Sequence, residues 1–221
     1  MKTHEYTSQN ADGHALAAKL DLPVLGNPRA YALLSHCFTC CKDLHAVSHI
    51  SKALTDLGIG VFRFDFPGLG QSGGQFSETT FSTNVDDLYR ASQFLEDIAE
   101  APQILLGHSL GGAVAIRVTS LIDSIRAVAT IGAPADPAHV THLLDAKRDE
   151  IATLGEATVA IAERDFLIKK AFIEDLDTVP MEEATHRLGK ALLILHSPID
   201  ETVGLAHAAR LHARTLSPPR S

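Results

Sequence analysis

One short turn constrains this chain more than any other feature. Residues 107–111 read Gly-His-Ser-Leu-Gly, between a short apolar run at 103–106 and an apolar stretch at 110–122. The first run predicts a buried strand and the second a helix, so the turn between them must be sharp. Glycines two residues before and after the serine leave room for it. The G-x-S-x-G pattern in this setting predicts a nucleophilic serine, Ser109, at a helix N-terminus whose N–H groups can stabilise an oxyanion.

The remaining apolar pattern predicts alternating strands and helices. Two short segments around an Asp-Gly turn at residues 12–13 predict a hairpin. Apolar runs at 30–36, 59–65, 127–131 and 191–195 predict further strands, and helical spacing follows three of the strands. We expect Asp43 to cap the first of these helices. Such alternation is typical of an α/β protein, in which a mostly parallel, twisted sheet carries helices on both faces.

The chain is expected to form a single domain, residues 1–221, with an insertion at 134–188. Its length and its 45% hydrophobic residues are enough for one sizeable core. The insertion predicts helices on either side of a small hairpin. In a parallel sheet of this kind, an insertion here lies over the carboxyl ends of the strands, where ligands bind. We therefore interpret residues 134–188 as a small cap.

Charge and hydropathy exclude several classes of function. The formal net charge is −8, with 27 acidic and 19 basic residues, which argues against binding a nucleic-acid backbone. No apolar stretch is long enough to predict a membrane span. The first residues lack the apolar core of a signal peptide, so we expect a cytoplasmic protein.

All three cysteines lie within five residues, at positions 37, 40 and 41. Because no distant cysteine could form a fold-stabilising disulfide, we expect reduced thiols that pack near the site as small apolar groups. A Cys-x-x-Cys pair can also be redox-active or bind zinc. Zinc needs further ligands, and the chain has no second cysteine pair. The sequence therefore predicts neither a metal nor a cofactor.

A serine hydroxyl needs a base, and the base needs a carboxylate that orients it. Chain order on this kind of fold is serine, then carboxylate, then histidine. Asp200 follows the last apolar strand and is the expected carboxylate, with Glu201 a weaker alternative and a helix-capping role for Asp200 the competing interpretation. The expected oxyanion donors are the N–H groups of Leu110 and Phe38, the latter in the loop after an earlier strand.

The base is the least defined member of the site. The chain has twelve histidines. His207 lies early in the segment after Asp200 and is the candidate that we select. We expect His36 to brace backbone and His196 to be structural, whereas the side chain of His108 should diverge from that of its neighbour Ser109.

These residues resemble those of the α/β-hydrolase superfamily, and more closely a bacterial branch in which a hydrolase domain precedes an OsmC-type domain. The motifs that carry the resemblance are His36-Cys37-Phe38-Thr39-Cys40, Phe62-Arg63-Phe64-Asp65-Phe66, Thr79-Thr80-Phe81-Ser82, the turn at Gly107 to Gly112, Ile131-Gly132-Ala133-Pro134, and His196-Ser197-Pro198 with Asp200. The resemblance implies an α/β-hydrolase core and ester hydrolysis.

The chain departs from that pattern in two places. It has no OsmC-type half, and too few residues follow Asp200 to form the last strand and histidine loop of the family. We therefore expect a core truncated before its C-terminal strand. Two functions remain open: a carboxylesterase that acts on small acyl esters through a Ser109 acyl-enzyme, or an impaired hydrolase that binds acyl-like ligands without efficient turnover. A redox module built on Cys37 and Cys40 ranks last.

The expected truncation also bears on assembly. Without a further strand, residues 191–195 should form the edge of the sheet. This edge would be Ala-Leu-Leu-Ile-Leu, with no charge or proline to prevent pairing. Since two-fold pairs are the commonest assemblies, we expect a homodimer that pairs through this strand, through the helix predicted at 202–213, or through both. The competing interpretation is a monomer in which residues 215–221 fold back over the edge. A small-molecule ester is the other expected partner.

Overall fold

The computed structural model describes residues 1–37, 39–161 and 164–216 of the chain. Its strands are β1 (Lys2–Gln9), β2 (Ala15–Leu22), β3 (Ala30–Ser35), β4 (Ile59–Phe64), β5 (Ile104–His108), β6 (Ala127–Ile131), β7 (Glu156–Ile161), β8 (Arg164–Lys169) and β9 (Ala191–Leu195). Its α-helices are α1 (His45–Asp56), α2 (Phe81–Ile98), α3 (Leu110–Val118), α4 (Arg148–Leu154), α5 (Lys170–Thr178), α6 (Met181–His186) and α7 (Ala206–Leu216).

Seven strands form the central sheet in the order β1-β2-β4-β3-β5-β6-β9. The predicted hairpin is confirmed, because β1 and β2 pair antiparallel, and β2 then pairs antiparallel with β4. Every other pair is parallel. Parallel strands bring their carboxyl ends to one side of the sheet, and the segments that follow β3, β5, β6 and β9 therefore meet there.

Apolar side chains cover both faces of the sheet, as the near-continuous apolar strands predict. In β3, Ala32 and Leu34 pack with Val47 of α1 on one face. Tyr31 and Leu33 point to the other face, where they pack with the apolar sides of α2 and α3. The alternation follows from the two-residue period of a strand. The prediction of helices on both faces is confirmed.

The insertion at 134–188 forms the elements that its pattern predicts. A 3₁₀ helix, Pro137–Lys147, leads into α4, and the antiparallel hairpin β7–β8 leads into α5 and α6. Three of its apolar side chains, Val140, Leu144 and Phe166, belong to the main core. The insertion is therefore packed onto the sheet rather than standing apart from it.

The strand β9 is the edge of the sheet within the described residues, with β6 as its only partner there. Its side chains are partly open to solvent: Leu193 is 56% exposed and Leu195 47%. The helix α7 packs near this edge, and Leu211 on it is fully buried. No helix among the described residues is long and apolar enough to cross a membrane.

The expected cap at Asp43 is wrong. The first residue before α1 is Leu44, and no side chain caps this helix. The Asp43 carboxylate instead accepts hydrogen bonds from Lys19 and from Arg63. Two long cationic side chains reach Asp43 from neighbouring strands, and the sequence pattern around Asp43 does not reveal them.

Candidate active site

Ser109 stands at the junction of β5 and α3 in a strained backbone conformation. Its φ is 53° and its ψ is −127°, and it is the one non-glycine residue with positive φ in the described part of the chain. The Ser109 N–H donates to the Ile131 carbonyl at 2.8 Å, which ties the turn to the end of β6. A non-glycine residue in this region costs on the order of 1 kcal/mol or more, and such residues cluster at functional sites.

The glycines around Ser109 are required by close packing. A Cβ atom at Gly107 would overlap the backbone of Gly111 and Gly112, and one at Gly111 would overlap the His36 carbonyl. The turn therefore packs directly against the end of β3. Because α3 begins at Leu110, the Leu110 N–H has no partner within the helix, and no other described residue accepts a hydrogen bond from it. This N–H is free to bind an anionic oxygen.

Asp200 lies in the turn after β9, on the same side of the sheet. Its Oδ1 accepts hydrogen bonds from the N–H groups of Thr202, at 3.0 Å, and Val203, at 2.9 Å. Oδ1 thus fixes the turn, although α7 begins only at Ala206. The other oxygen, Oδ2, is 3.9 Å from His196 Nε2. A Cβ at Gly132, after β6, would lie 3.2 Å from Oδ2, so the carboxylate overhangs the end of that strand.

A cavity of about 380 Å³ joins these elements. Ser109, His108 and Asp200 line it together with Cys37 and Thr39 from the loop after β3. The remaining wall is mostly apolar and includes Val140, Leu143, Ile161 and Val203. Apolar walls around a few convergent polar groups are typical of small-molecule sites. The structure thus brings Ser109 and Asp200 together in one cavity.

His207 is not among the residues that line this cavity. Its ring is buried, and its Nδ1 accepts a hydrogen bond from the Ala135 N–H at 3.1 Å. The ring packs against His139 with centroids 4.2 Å apart. Burial and the adjacent His139 lower the pKa of His207 to about 4. Because Nδ1 is the acceptor, the proton of the neutral ring is on Nε2, and the ring as placed has no free lone pair for a serine hydroxyl.

Two other histidines brace backbone. His36 Nδ1 donates to the Cys37 carbonyl at 2.8 Å, and its Nε2 accepts from the Phe66 N–H at 3.3 Å. Both ring nitrogens are therefore used, as the sequence predicts for this residue. His196 Nε2 donates to the Val203 carbonyl at 2.6 Å, which steadies the turn that carries Asp200.

His108 is the one histidine that lines the cavity within the described residues. Burial lowers its pKa, while the nearby Asp200 carboxylate acts in the opposite direction. The ring is therefore neutral near pH 7. No described residue forms a hydrogen bond with it.

The expectation of reduced thiols is wrong for two of the three cysteines. Cys37 and Cys40 form a disulfide, with their Cα atoms 5.3 Å apart, and Cys41 is free. The Cys40 N–H donates to the Cys37 carbonyl, so a tight turn brings the two sulfur atoms together without any distant partner. Phe38, the expected second oxyanion donor, lies between them and outside the described residues.

A buried ionic cluster, which the sequence did not reveal, holds the loop after β3. Lys42 is 1% exposed, and its Nζ donates to Asp65 Oδ2 and to Gln71 Oε1, both at 2.7 Å. The Lys42 N–H donates to Asp65 Oδ1, and Arg63 donates to the Lys42 carbonyl. A lysine is almost never fully buried unless it is paired, and a lysine seven residues past the end of a strand does not by itself predict burial.

Comparison with known families gives a match over the nucleophile side of this site. The family described as serine aminopeptidase S33, a hydrolase family, matches residues 26–154. This range includes the loop after β3 and the turn at Ser109, and it ends before Asp200.

Among curated proteins, the chain is similar to a palmitoyl-protein thioesterase and to a monoglyceride lipase. It is 31% identical over 176 residues to mouse palmitoyl-protein thioesterase ABHD10, mitochondrial, which covers 76% of this chain and 58% of that protein. It is 35% identical over 114 residues to mouse monoglyceride lipase, which covers 50% of this chain and 36% of that protein. The chain thus spans less than two thirds of the length of these relatives.

Among solved structures, the esterase domain of a Rhodothermus marinus protein is 46% identical, with a TM-score of 0.78. The match covers 99% of this chain and 85% of that one. Est1E of Butyrivibrio proteoclasticus has a TM-score of 0.79 at 19% identity, and it shows similarity of fold alone. The predicted α/β-hydrolase fold is confirmed.

Proposed function

Because this chain belongs to the serine aminopeptidase S33 family of α/β-hydrolases, we propose that it is a carboxylesterase that cleaves small acyl esters through an acyl-enzyme on Ser109. The observation that carries the proposal is the conformation of Ser109. A positive φ is held in place there by close glycine packing, in a cavity that also contains a carboxylate. Strain of this kind persists only where the surrounding structure enforces it.

The proposed reaction begins with attack of Ser109 Oγ on the ester carbonyl. The developing oxyanion is stabilised by the free N–H of Leu110 at the start of α3, and the loop containing Phe38 supplies the second donor. Asp200 Oδ1 is held by two N–H groups, which leaves Oδ2 to orient an imidazole. Expulsion of the alcohol leaves an acyl-Ser109 ester, and water then releases the acid.

The base is the open part of this proposal. His207 is the candidate that the sequence offers, yet its Nδ1 already accepts a hydrogen bond from Ala135. To act as the base, its ring has to leave that contact and turn towards the cavity. The alternatives are His108, which lines the cavity, and a group outside the described residues.

Small esters are favoured over longer substrates and over peptides by two considerations. The solved relative at 46% identity is described as an esterase domain. The cavity, at about 380 Å³, lies near the lower end of the usual range for ligand sites. The mouse relatives named for thioester and glyceride substrates make thioesters the neighbouring class to assay.

An impaired hydrolase that binds acyl-like ligands without efficient turnover is the second candidate. The arrangement of the histidines favours it. His36 uses both ring nitrogens on backbone groups, and the lone pair of His207 accepts from the Ala135 N–H. His196 keeps only a buried Nδ1, with no partner among the described residues. An oxyanion hole and substrate binding can still supply about 10³-fold acceleration over water when a triad member is lost. The two candidates therefore differ in turnover rate rather than in labelling of Ser109.

Three further expectations remain part of the proposal. One is the placement of the chain in the branch whose hydrolase domain precedes an OsmC-type domain, and another is a cytoplasmic location. A disulfide between near neighbours is compatible with that compartment when it is transient or redox-active. The third is a homodimer formed through the exposed edge β9, through the helix α7, or through both.

The decisive experiment combines a fluorophosphonate probe with a short-chain nitrophenyl ester. We expect the probe to label Ser109 and the Ser109→Ala variant to lose both labelling and hydrolysis while it stays folded. Persistent labelling of the variant would overturn the assignment of the nucleophile. If the probe labels the wild type but the ester is hydrolysed no faster than about 10³-fold over water, the second candidate, the impaired hydrolase, is supported.

A further inference from the structure

Two sulfur atoms and an imidazole meet at the wall of the cavity. Cys37 Sγ, Cys40 Sγ and a ring nitrogen of His108 all lie within 4.8 Å of one another. They come from distant parts of the sequence, since the cysteines follow β3 and His108 ends β5. The parallel pairing of β3 with β5 puts them side by side, with Ser35 opposite Gly107. Neither the family match nor the similarity to relatives assigns a role to this cluster.

We propose that reduction of the Cys37–Cys40 disulfide creates a binding site for a zinc-class metal ion, ligated by both thiolates and His108, beside Ser109. The site lies outside the proposed hydrolytic reaction and regulates it. In the structure the two cysteines are bonded to each other, so neither offers a thiolate ligand in this form.

The chemistry of the switch balances with a dithiol as the reductant. The dithiol transfers two electrons and two protons to the Cys37–Cys40 bond, which yields two thiols and the cyclic disulfide of the reductant. Binding of a divalent ion then displaces one proton from each thiol. The product carries two thiolates and a neutral imidazole around the ion, and its net charge is zero.

The geometry requires only small movements. Ligand distances of about 2.3 Å for sulfur and 2.0 Å for nitrogen in a tetrahedral site separate the ligand atoms by roughly 3.5 Å. The sulfur atoms have to move apart once their bond is broken, and the His108 nitrogen, within 4.8 Å of both, has to approach by at most about 1.3 Å. The Cys-x-x-Cys spacing is the usual chelating spacing of zinc sites.

His108 is suited to ligation. Its ring nitrogen lies beside both sulfur atoms, and no described residue hydrogen-bonds with the ring. Of the other rings near the cavity, His36 uses both nitrogens on backbone groups, and His196 uses its Nε2 on the Val203 carbonyl. Two thiolates with one imidazole are a donor set that zinc prefers, and the fourth position stays open to water.

A metal at this cluster would alter the hydrolytic site directly. Cys37, His108, Ser109 and Asp200 line the same cavity, so the ion and its fourth ligand would occupy space that an ester needs. Cys37 and Cys40 also flank the loop expected to supply an oxyanion donor. We therefore expect the metal-bound, reduced protein to be a poor hydrolase.

The test uses the full chain and Co²⁺ as a spectroscopic substitute for zinc. One sample is the oxidised protein. The other is reduced with a dithiol, and the dithiol is then removed under argon. Each sample is titrated with Co²⁺. We expect only the reduced protein to develop thiolate-to-cobalt charge-transfer bands and intense visible bands typical of tetrahedral Co²⁺, saturating at one ion per chain. Added Zn²⁺ should displace Co²⁺ and abolish both sets of bands. Equal spectra for the two samples would overturn the proposal, and this comparison needs no variant.

Matched variants identify the ligands. Cys37→Ser should lose the charge-transfer band, and His108→Asn should keep a thiolate band but bind Co²⁺ at least about tenfold more weakly. Cys41→Ser is the control, because Cys41 is the free thiol next to the pair, and its spectrum should match the wild type. A band lost with Cys41→Ser, or a Co²⁺ affinity unchanged by His108→Asn, would overturn the ligand set.

A second readout links the site to catalysis. Zn²⁺ should inhibit ester hydrolysis by the reduced protein and leave the oxidised protein unaffected, and a chelator should reverse the inhibition. The cobalt spectrum does not depend on hydrolysis. Failure of the proposed esterase activity would therefore leave the metal result intact, and failure of metal binding would leave the esterase result intact.

Discussion

The two sides of the cavity are held by different means. On the nucleophile side, α3 is buried along almost its whole length, and the loop after β3 is fixed by the buried pair of Lys42 and Asp65. On the acid side, Asp200 lies in a turn beyond the edge strand β9, where Ile199 is 85% exposed. The first side is determined by core packing, whereas the second depends on a few hydrogen bonds within one turn. The family match covers the first side and stops before the second.

The acid side gives the largest expected effect on activity. If Asp200 orients an imidazole, Asp200→Asn should lower kcat by up to about 10⁴-fold with little change in KM. The fold should survive, because the Asn oxygen can still accept the hydrogen bonds from Thr202 and Val203. Steady-state kinetics with a nitrophenyl ester measure the effect, with Glu201→Gln as the neighbouring control. If kcat is unchanged, Asp200 stabilises its turn but does not orient an imidazole.

The nucleophile side should instead respond in stability. Asp65→Asn removes the buried anion of the Lys42 ammonium and leaves only the half-exposed Asp43, at 3.6 Å. Loss of one partner of a buried pair costs about 3–5 kcal/mol. Urea unfolding measures the free energy of unfolding. The control is Asp86→Asn, which breaks the exposed pair of Asp86 with Arg90 and should cost about 1 kcal/mol or less. Equal losses for the two variants would show that burial of the Lys42 cluster contributes nothing special.

The edge strand on the acid side provides a test of assembly. Leu193 is 56% exposed on β9, and a charged residue on an edge strand opposes pairing. We expect the wild type to sediment as a dimer and Leu193→Lys to shift it to a monomer. Leu25→Lys is the matched control, because Leu25 is 87% exposed in a loop far from β9 in sequence. A wild type that stays monomeric over a wide concentration range would contradict the homodimer.

The smallest expected effect on activity comes from His207→Ala. With His207 Nδ1 on Ala135, the loss in kcat should be far below the roughly 10²-fold that removal of a general base brings. The effect of the substitution should instead appear in the pH dependence of the free energy of unfolding. Since the folded pKa of about 4 lies below the ordinary 6.5, the wild type should lose stability as the pH falls through this interval, and the variant should lose less. A kcat loss as large as that of Ser109→Ala would make His207 the base.

The sequence predicts best what local periodicity encodes. Strand and helix alternation, the hairpin at the start, and the elements of the insertion follow from spacing within a few residues. The position of Ser109 follows in the same way, because its turn is bounded by an apolar strand and an apolar helix. Asp200 is predicted for its place after a strand, and its distance to Gly132 follows from parallel pairing.

What the sequence could not predict depends on contacts between distant segments. Lys42 and Asp65 are separated by 23 residues, and nothing in either neighbourhood requires the other. The direction of the His207 ring depends on an N–H group 72 residues away. His108 meets Cys37 and Cys40 only because β3 and β5 are neighbours in the sheet. The order of strands in a sheet depends on the whole chain, and neither the hydrophobic period nor the composition of a single segment determines it.

The positive φ of Ser109 has a consequence for selection. Glycine adopts this conformation freely, so Ser109→Gly would relieve backbone strain that serine retains. A laboratory selection that rewards folding alone should therefore drift towards glycine at position 109 and discard the hydroxyl. Only a selection that also rewards turnover would keep serine there. If serine is retained at position 109 in variants of this chain evolved under the second kind of selection, its retention indicates activity. The natural substrate does not have to be assayed.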